Sequence, residues 1–143
     1  MTVLLSRLEP KDASGCIIAT DDGSLLLQLR DDCPAIFFPN RWGLFGGAIE
    51  QGETPKDAVA REVEEELTLG VDKNRFSYCG RIEMQIFNFR LFRYFFYVKL
   101  SQQEITTIKL TEGQKFGIFS SAEINSLQLT PYDEYFYSIW KNR

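Results

Sequence analysis

Residues 46–66 read GGAIEQGETPKDAVAREVEEE and hold six glutamates and one aspartate against two basic residues, Lys56 and Arg61. Thr54 is a good N-cap, Pro55 suits the first helical position and Asp57 the first turn, so a helix begins at 54 or 55; Gly70 is expected to stop it. At about 100° per residue, with Glu62 as origin, Glu66 falls about 40° to one side and Glu65 about 60° to the other, while Val59, Val63 and Leu67 form an apolar stripe from about 60° to 140°. Three carboxylates therefore share one edge of the buried face, and Glu64 points away from them as a solvated charge. No lysine or arginine stands four residues from Glu62 or Glu66; only Glu65 has one, Arg61. Glutamates crowded on a helix repel by a few tenths of a kcal/mol per pair. Two readings are open at this point: a plain acidic helix face, or a site for a hard divalent cation, which takes carboxylate oxygens and bridges to phosphates.

The rest of the chain narrows the chemistry. At 143 residues and 44% hydrophobic content the sequence reads as one domain, residues 1–143, with a real core. Its net charge of −4 has the wrong sign for broad attraction to a nucleic-acid polymer or an anionic membrane, so a polyanionic ligand needs local help. Histidine is absent, which removes imidazole acid/base chemistry, Ser/His and Cys/His nucleophiles and His-based zinc sites. Cys16, Cys33 and Cys79 are too widely spaced for a zinc motif and odd in number, and all three are read as buried small hydrophobes. The apolar run in MTVLLSRLEP is too short for a signal peptide, and FNFRLFRYFFYVKL is broken by Arg90 and Arg93, so a cytoplasmic protein without a membrane span is expected.

Along the chain, GCIIAT (15–20) and SLLLQLR (24–30) flank Asp21-Asp22-Gly23, a hairpin signal. Residues 31–43, with two prolines, read as a loop. Two strands are expected within 76–100, where the even positions Phe92, Tyr94, Phe96, Val98 and Leu100 are apolar. A polar loop over 101–115, a short strand at GIFS, a short helix at SSAEINSL and a final aromatic helix from Thr130-Pro131 to about Trp140 complete the order.

The acidic helix belongs to a larger pattern: Gly47, five residues, Glu53, seven residues, Arg61-Glu62, apolar Val63, one residue, Glu65-Glu66, one residue, Thr68-Leu69. This resembles the Nudix box of the Nudix (MutT-like) hydrolases, G-x5-E-x7-R-E-U-x-E-E-x-G-U with U apolar, over residues 47–69. Every defined position matches except the last glycine, replaced by Thr68, and Gly70 is expected to end the helix in its stead. The approach reads LFGGAIE, whereas nucleoside triphosphate members often carry proline before the two glycines and lysine after them; Ala48 points away from a cleaner of oxidised nucleotides.

The resemblance implies an α/β fold, a Nudix-type α/β/α sandwich with a mixed β-sheet in a single domain. It implies hydrolysis of a pyrophosphate bond in a nucleoside diphosphate linked to another group, foremost a nucleoside triphosphate or a nucleotide sugar, with Mg²⁺ or Mn²⁺. A non-catalytic nucleotide-binding or sensing module on the same fold is the alternative. By the same resemblance Glu62, Glu65 and Glu66, with the Gly46 carbonyl, hold the metal, and Glu53 lies nearby and pairs with Arg61. The proton acceptor is Glu62, Glu53 or the loop residue Glu112, and the resemblance leaves that choice open. Arg30 and Arg41 are candidates to meet phosphates, and Trp42, Phe37 or Phe38 to stack on a base, with core packing the competing role. The expected partner is a small nucleotide substrate, with no nucleic-acid polymer or membrane; a homodimer is left open.

Overall fold

The computed structural model describes residues 11–86 and 88–143; the N-terminal stretch MTVLLSRLEP read above lies outside them. The Asp-Gly signal does close a hairpin. β1 (Ala13–Ala19) and β2 (Leu25–Leu29) pair antiparallel at Ile18↔Leu26 and Ala19↔Leu25, and Gly23 supplies the positive φ of 85° that the turn requires. β3 (Trp42–Gly43) and β4 (Phe45–Ala48) then return to the sheet, β3 on β2 and β4 on β1. Their place in the sheet is invisible in the glycine-rich sequence.

The acidic segment forms helix α1 (Pro55–Leu67), and Thr54 and Asp57 build a reciprocal capping box. β5 (Ser77–Ile86) and β6 (Phe89–Lys99) follow as a long antiparallel hairpin, and β6 runs parallel to β1 from Ala13↔Arg93 to Ala19↔Lys99. The expected loop over 101–115 contains a short helix, α2 (Gln102–Thr106), whose Ser101 and Glu104 form a second capping box; that S-x-x-E spacing was the signal for it. β7 (Lys115–Phe119) pairs with β2, and α3 (Ser121–Ile124) and α4 (Pro131–Trp140) end the chain.

Among the described residues the seven strands make one mixed sheet, with β1 at its centre. All seven residues of β1 are buried, as a strand covered on both faces must be. Period-two alternation sorts its side chains. Cys16 and Ile18 join Leu26, Phe96, Val98 and the α1 stripe Val59, Val63 and Leu67 on one face, while Ile17 and Ala19 join Leu25, Leu27, Phe95, Phe136 and Tyr137 on the other. The Phe95 and Phe136 rings stack 3.8 Å apart beneath α4. Full burial of each of the three α1 residues contributes about 1.5–3 kcal/mol. The molecule is thus an α/β/α sandwich with α1 and α4 on opposite faces of a mixed sheet. No helix among the described residues is long and apolar enough to cross a membrane.

Two further expectations need correction. Only Cys16 is buried; Cys33 is partly exposed, and Cys79 is exposed at the register shift between Tyr78 and Gly80, where a bulge turns the extra residue out of the ladder. Helix α1 does not run on to Gly70. Thr68 itself ends it in the left-handed conformation, at φ 54° and ψ 43°, and its hydroxyl donates to the Lys109 carbonyl at 2.8 Å.

Candidate active site

The sheet brings Gly46 and Gly47 under the acidic side of α1, and the two glycines are required for different reasons. At Gly46, φ is 143° and a Cβ would stand 2.0 Å from the Ser14 carbonyl oxygen, so only glycine lets β4 lie this close to β1. At Gly47 a Cβ would stand 2.6 Å from the Glu62 carboxyl carbon, so the missing side chain is the space that Glu62 occupies.

The three carboxylates of the helix edge are not equivalent. Glu66 is only 1% exposed, whereas the Glu65 side chain keeps 55% of its surface and Glu62 stands between them at the rim. Glu66 is held by two neutral donors: the Gly46 N–H to Oε1 at 2.8 Å and the Gln28 amide to Oε2 at 2.9 Å. Burial pushes its pKa up to about 8; the two hydrogen bonds oppose the shift, and the neighbouring Glu62 and Glu112 add to it. Burial likewise raises Glu62, against the pull of Arg61.

Arg61 is the counter-charge that helix spacing alone did not reveal for Glu62. Its guanidinium takes Glu53 with both ends of the fork, at 2.7 and 2.9 Å, and reaches Glu62 at 3.0 Å, Glu65 at 3.2 Å and the Ala48 carbonyl at 3.0 Å. A residue directly beside Glu62 reaches it because Glu53 and Ala48 draw the arginine to that side. The bidentate pair in turn holds Glu53 below the ordinary carboxylate range.

Glu112 arrives from the loop after α2, which is strapped at both ends. Thr111 donates its N–H to the Glu66 carbonyl and its hydroxyl to that of Glu65, and the Lys109 N–H takes that of Leu67, so the loop satisfies the orphan carbonyls of the helix end. On the far side Gln114 donates its N–H to the Leu29 carbonyl and its amide to the carbonyl of Arg30 and to Asn40. The result is a cleft of about 340 Å³ that Glu66, Glu112, Gly46, Gln28 and Arg30 line together. Arg30 donates Nε to the Phe37 carbonyl at 3.0 Å, and burial and the nearby Arg93 lower its pKa. Arg41 lines neither this cleft nor its neighbour and instead donates to the Leu129 carbonyl at 3.3 Å. Trp42 packs edge-on to Phe119, with ring centroids 4.9 Å apart, as part of the α4-side core; Phe37 and Phe38 line the neighbouring cleft.

Among the described residues no three acidic or cysteine side chains are already gathered as a metal cage. The donor chemistry nevertheless fits a hard divalent cation. Glu66 is a buried carboxylate whose hydrogen-bond donors among the described residues are neutral, Glu62 is beside it, and the exposed Glu65 side chain can turn from Arg61 towards them. Gln28 was not foreseen. It is the one polar residue in LLLQL, on the Leu26 side of β2, and that break in an apolar strand was its signal.

The model of the NUDIX domain family matches residues 9–140. Nucleoside triphosphatase NudI of Escherichia fergusonii is 42% identical over 52 residues, 36% of each chain, and that of Escherichia coli is 40% identical over 52 residues, also 36% of each. The chain thus matches about a third of the length of these curated relatives. Among solved structures, the MutT protein from Methanosarcina mazei Go1 superposes with a TM-score of 0.76 at 20% identity, over 94% of this chain and 97% of that one. The NUDIX domain of Shewanella oneidensis NrtR, complexed with ADP ribose, gives 0.74 at 15% identity, over 99% and 97%. At such identities the structural likeness speaks for the fold alone.

Proposed function

The chain belongs to the Nudix (MutT-like) hydrolase family, and from that premise we propose that it is a divalent-cation-dependent pyrophosphohydrolase, acting on a nucleoside diphosphate linked to another group, foremost a nucleoside triphosphate or a nucleotide sugar. The observation that carries this reading is the buried carboxylate of Glu66, which among the described residues accepts hydrogen bonds only from neutral donors and faces a cleft shared with Glu112 and Arg30. The short match to the nucleoside triphosphatase NudI supports a nucleoside triphosphate among the candidate substrates.

Glu62, Glu65 and Glu66, with the Gly46 carbonyl, would hold Mg²⁺ or Mn²⁺, which when bound offsets phosphate charge and acidifies water. The chain's own residues do the rest. Arg61 clamps Glu53 and fixes the height of Glu62 over Gly47. Arg30, which lines the cleft, meets a phosphate oxygen. The proton of the attacking water goes to a carboxylate, for which Glu112, Glu62 and Glu53 are the candidates; Glu112 lines the cleft itself, whereas Glu53 is fully engaged by Arg61. In this reading Arg41 has no phosphate role.

The test is a screen of the purified protein against nucleoside triphosphates, nucleotide sugars and dinucleotides with Mg²⁺ or Mn²⁺, scoring phosphate released directly or after phosphatase coupling. Hydrolysis of at least one class, absent without the cation, is expected. Binding without turnover across the whole panel would replace the hydrolase by a nucleotide-sensing module.

A further inference from the structure

β2 is apolar but for Gln28, and the strands on either side fix where that residue stands: Gln28 pairs with Gly43 of β3 on one edge and with Phe116 of β7 on the other. Its side chain follows that of Leu26 to the α1 face of the sheet and is 4% exposed. An amide buried there costs free energy unless its polar ends find partners. Nε2 donates to Glu66 Oε2 at 2.9 Å. An ionised carboxylate only accepts, so this contact also fixes which way round the amide stands. Oε1 therefore faces the loop that carries Glu112. A Cβ on Gly113 would stand 2.8 Å from Oε1 and 3.0 Å from the Leu29 carbonyl oxygen, at a φ of 82°, so the loop meets the amide at a glycine because a side chain would collide with it. The Thr111 N–H on the Glu66 carbonyl and the Gln114 N–H on that of Leu29 strap the loop down at its two ends, and Gln28 stands between the straps.

Glu66 thus receives one donor on each oxygen, the Gly46 N–H on Oε1 and the Gln28 amide on Oε2. A carboxylate gripped at both oxygens keeps its orientation, while each oxygen retains a further lone pair for a cation. Because both donors are neutral, the charge of the carboxylate is left for that cation as well. A lysine or arginine in place of Gln28 would hold Glu66 more strongly, but it would compete with the metal for the same charge. We propose that Gln28 is a positioning residue of the cation site: it sets the Glu66 carboxylate for the divalent ion and, through its other end, seats the Glu112 loop beside it. The proposal rests on the pyrophosphohydrolase reading above, in which Glu66 is a cation ligand. Gln28 stands on a strand paired on both sides, so the orientation it imposes is as rigid as the sheet itself.

The experiment titrates Mn²⁺ alone, without nucleotide, into the protein, with the electron paramagnetic resonance signal of the free ion reporting how much is bound. Gln28→Met keeps the length and apolar packing of the side chain and removes the amide. Its Kd for Mn²⁺ is expected to rise about tenfold or more, as it does when a group that orients a metal ligand is lost. Gly113→Ala presses on the same amide from the loop side and leaves the core untouched; it should raise the Kd in the same direction, and it covers the case in which the methionine variant does not fold. A role confined to stability would lower the Tm of Gln28→Met and leave the Kd of the folded protein where it was. A Kd equal to that of wild type in either folded variant would overturn the assignment of Gln28 while leaving the cation-dependent hydrolysis intact. A wild-type protein that binds no Mn²⁺ would overturn the assignment together with the reading it rests on.

Discussion

The carboxylate of Glu62 lies against the backbone of Gly47, in the space a side chain there would fill: an added Cβ would sit 2.6 Å from its carboxyl carbon. Gly47→Ala should therefore push aside a movable carboxylate at little cost to the fold, while Gly46→Ala forces a methyl group onto the Ser14 carbonyl at a positive φ. The expected outcome is a pair that separates activity from stability. Gly47→Ala should lose about tenfold or more in rate with a denaturation midpoint close to wild type, and Gly46→Ala should lose about 3 kcal/mol or more of stability. Urea titration and initial rates on the two variants check it; a Gly47→Ala enzyme with full rate would detach Glu62 from the chemistry.

A pH dependence follows from Glu66. Its folded pKa, about 8, lies far above that of a free glutamate, so the charged form destabilises the metal-free fold. The cost is absent below about pH 4 and grows as pH rises towards 8. Glu53 and Glu104 act in the opposite sense, since Arg61 and Arg75 hold them low, Glu104 at about 2; what they contribute is lost only as pH falls through the acid range. The window from pH 5 to 8 thus belongs mainly to Glu66, with Glu62, also raised by burial, adding in the same sense. In chelator, Tm should fall by about 5 °C or more across that window, Glu66→Gln should flatten the slope, and Mg²⁺ should raise Tm more at pH 8 than at pH 5, because protons and cation compete for the same oxygens. A Tm that climbs from pH 5 to 8 in chelator would contradict the burial of a charge at Glu66.

Thr68 replaces the glycine of the box and adopts the left-handed conformation glycine would have adopted, a strain of about 1–2 kcal/mol for a side-chain-bearing residue. The hydroxyl bond to Lys109 offsets part of it. Thermal melts should rank Thr68→Gly equal to or above wild type and Thr68→Val below it by about 1–2 kcal/mol, since valine keeps the strain and loses the bond. A valine variant as stable as wild type would mean the loop at Lys109 does not support the helix end.

Most of this architecture is written in local patterns. The Asp-Gly turn, the Thr54-Pro55 start and the Val59, Val63, Leu67 stripe each specify their element by near-neighbour chemistry, and the box spacing marks Glu53, Arg61, Glu62, Glu65 and Glu66 as one unit. What local pattern does not carry is what depends on the sheet. Gln28 meets Glu66 and Arg93 meets Asp133 only after β2, β6 and α4 have packed, and the unequal burial of the three helix glutamates is set by where β4 passes beneath α1. Arg41 shows the converse. A basic residue next to the box in sequence is carried away from the cleft once the loop before β3 folds back on Leu129.

The central claim, a carboxylate-held cation driving pyrophosphate hydrolysis, is met most directly by one comparison: product release from the best nucleotide found, by the wild-type protein in Mg²⁺, by the same protein in excess chelator, and by Glu66→Gln in Mg²⁺. The account predicts turnover only in the first, with the variant slower by about 10²-fold or more while its thermal melt in chelator matches or exceeds wild type. Undiminished turnover in chelator, or a Glu66→Gln protein that works at the wild-type rate, would contradict it.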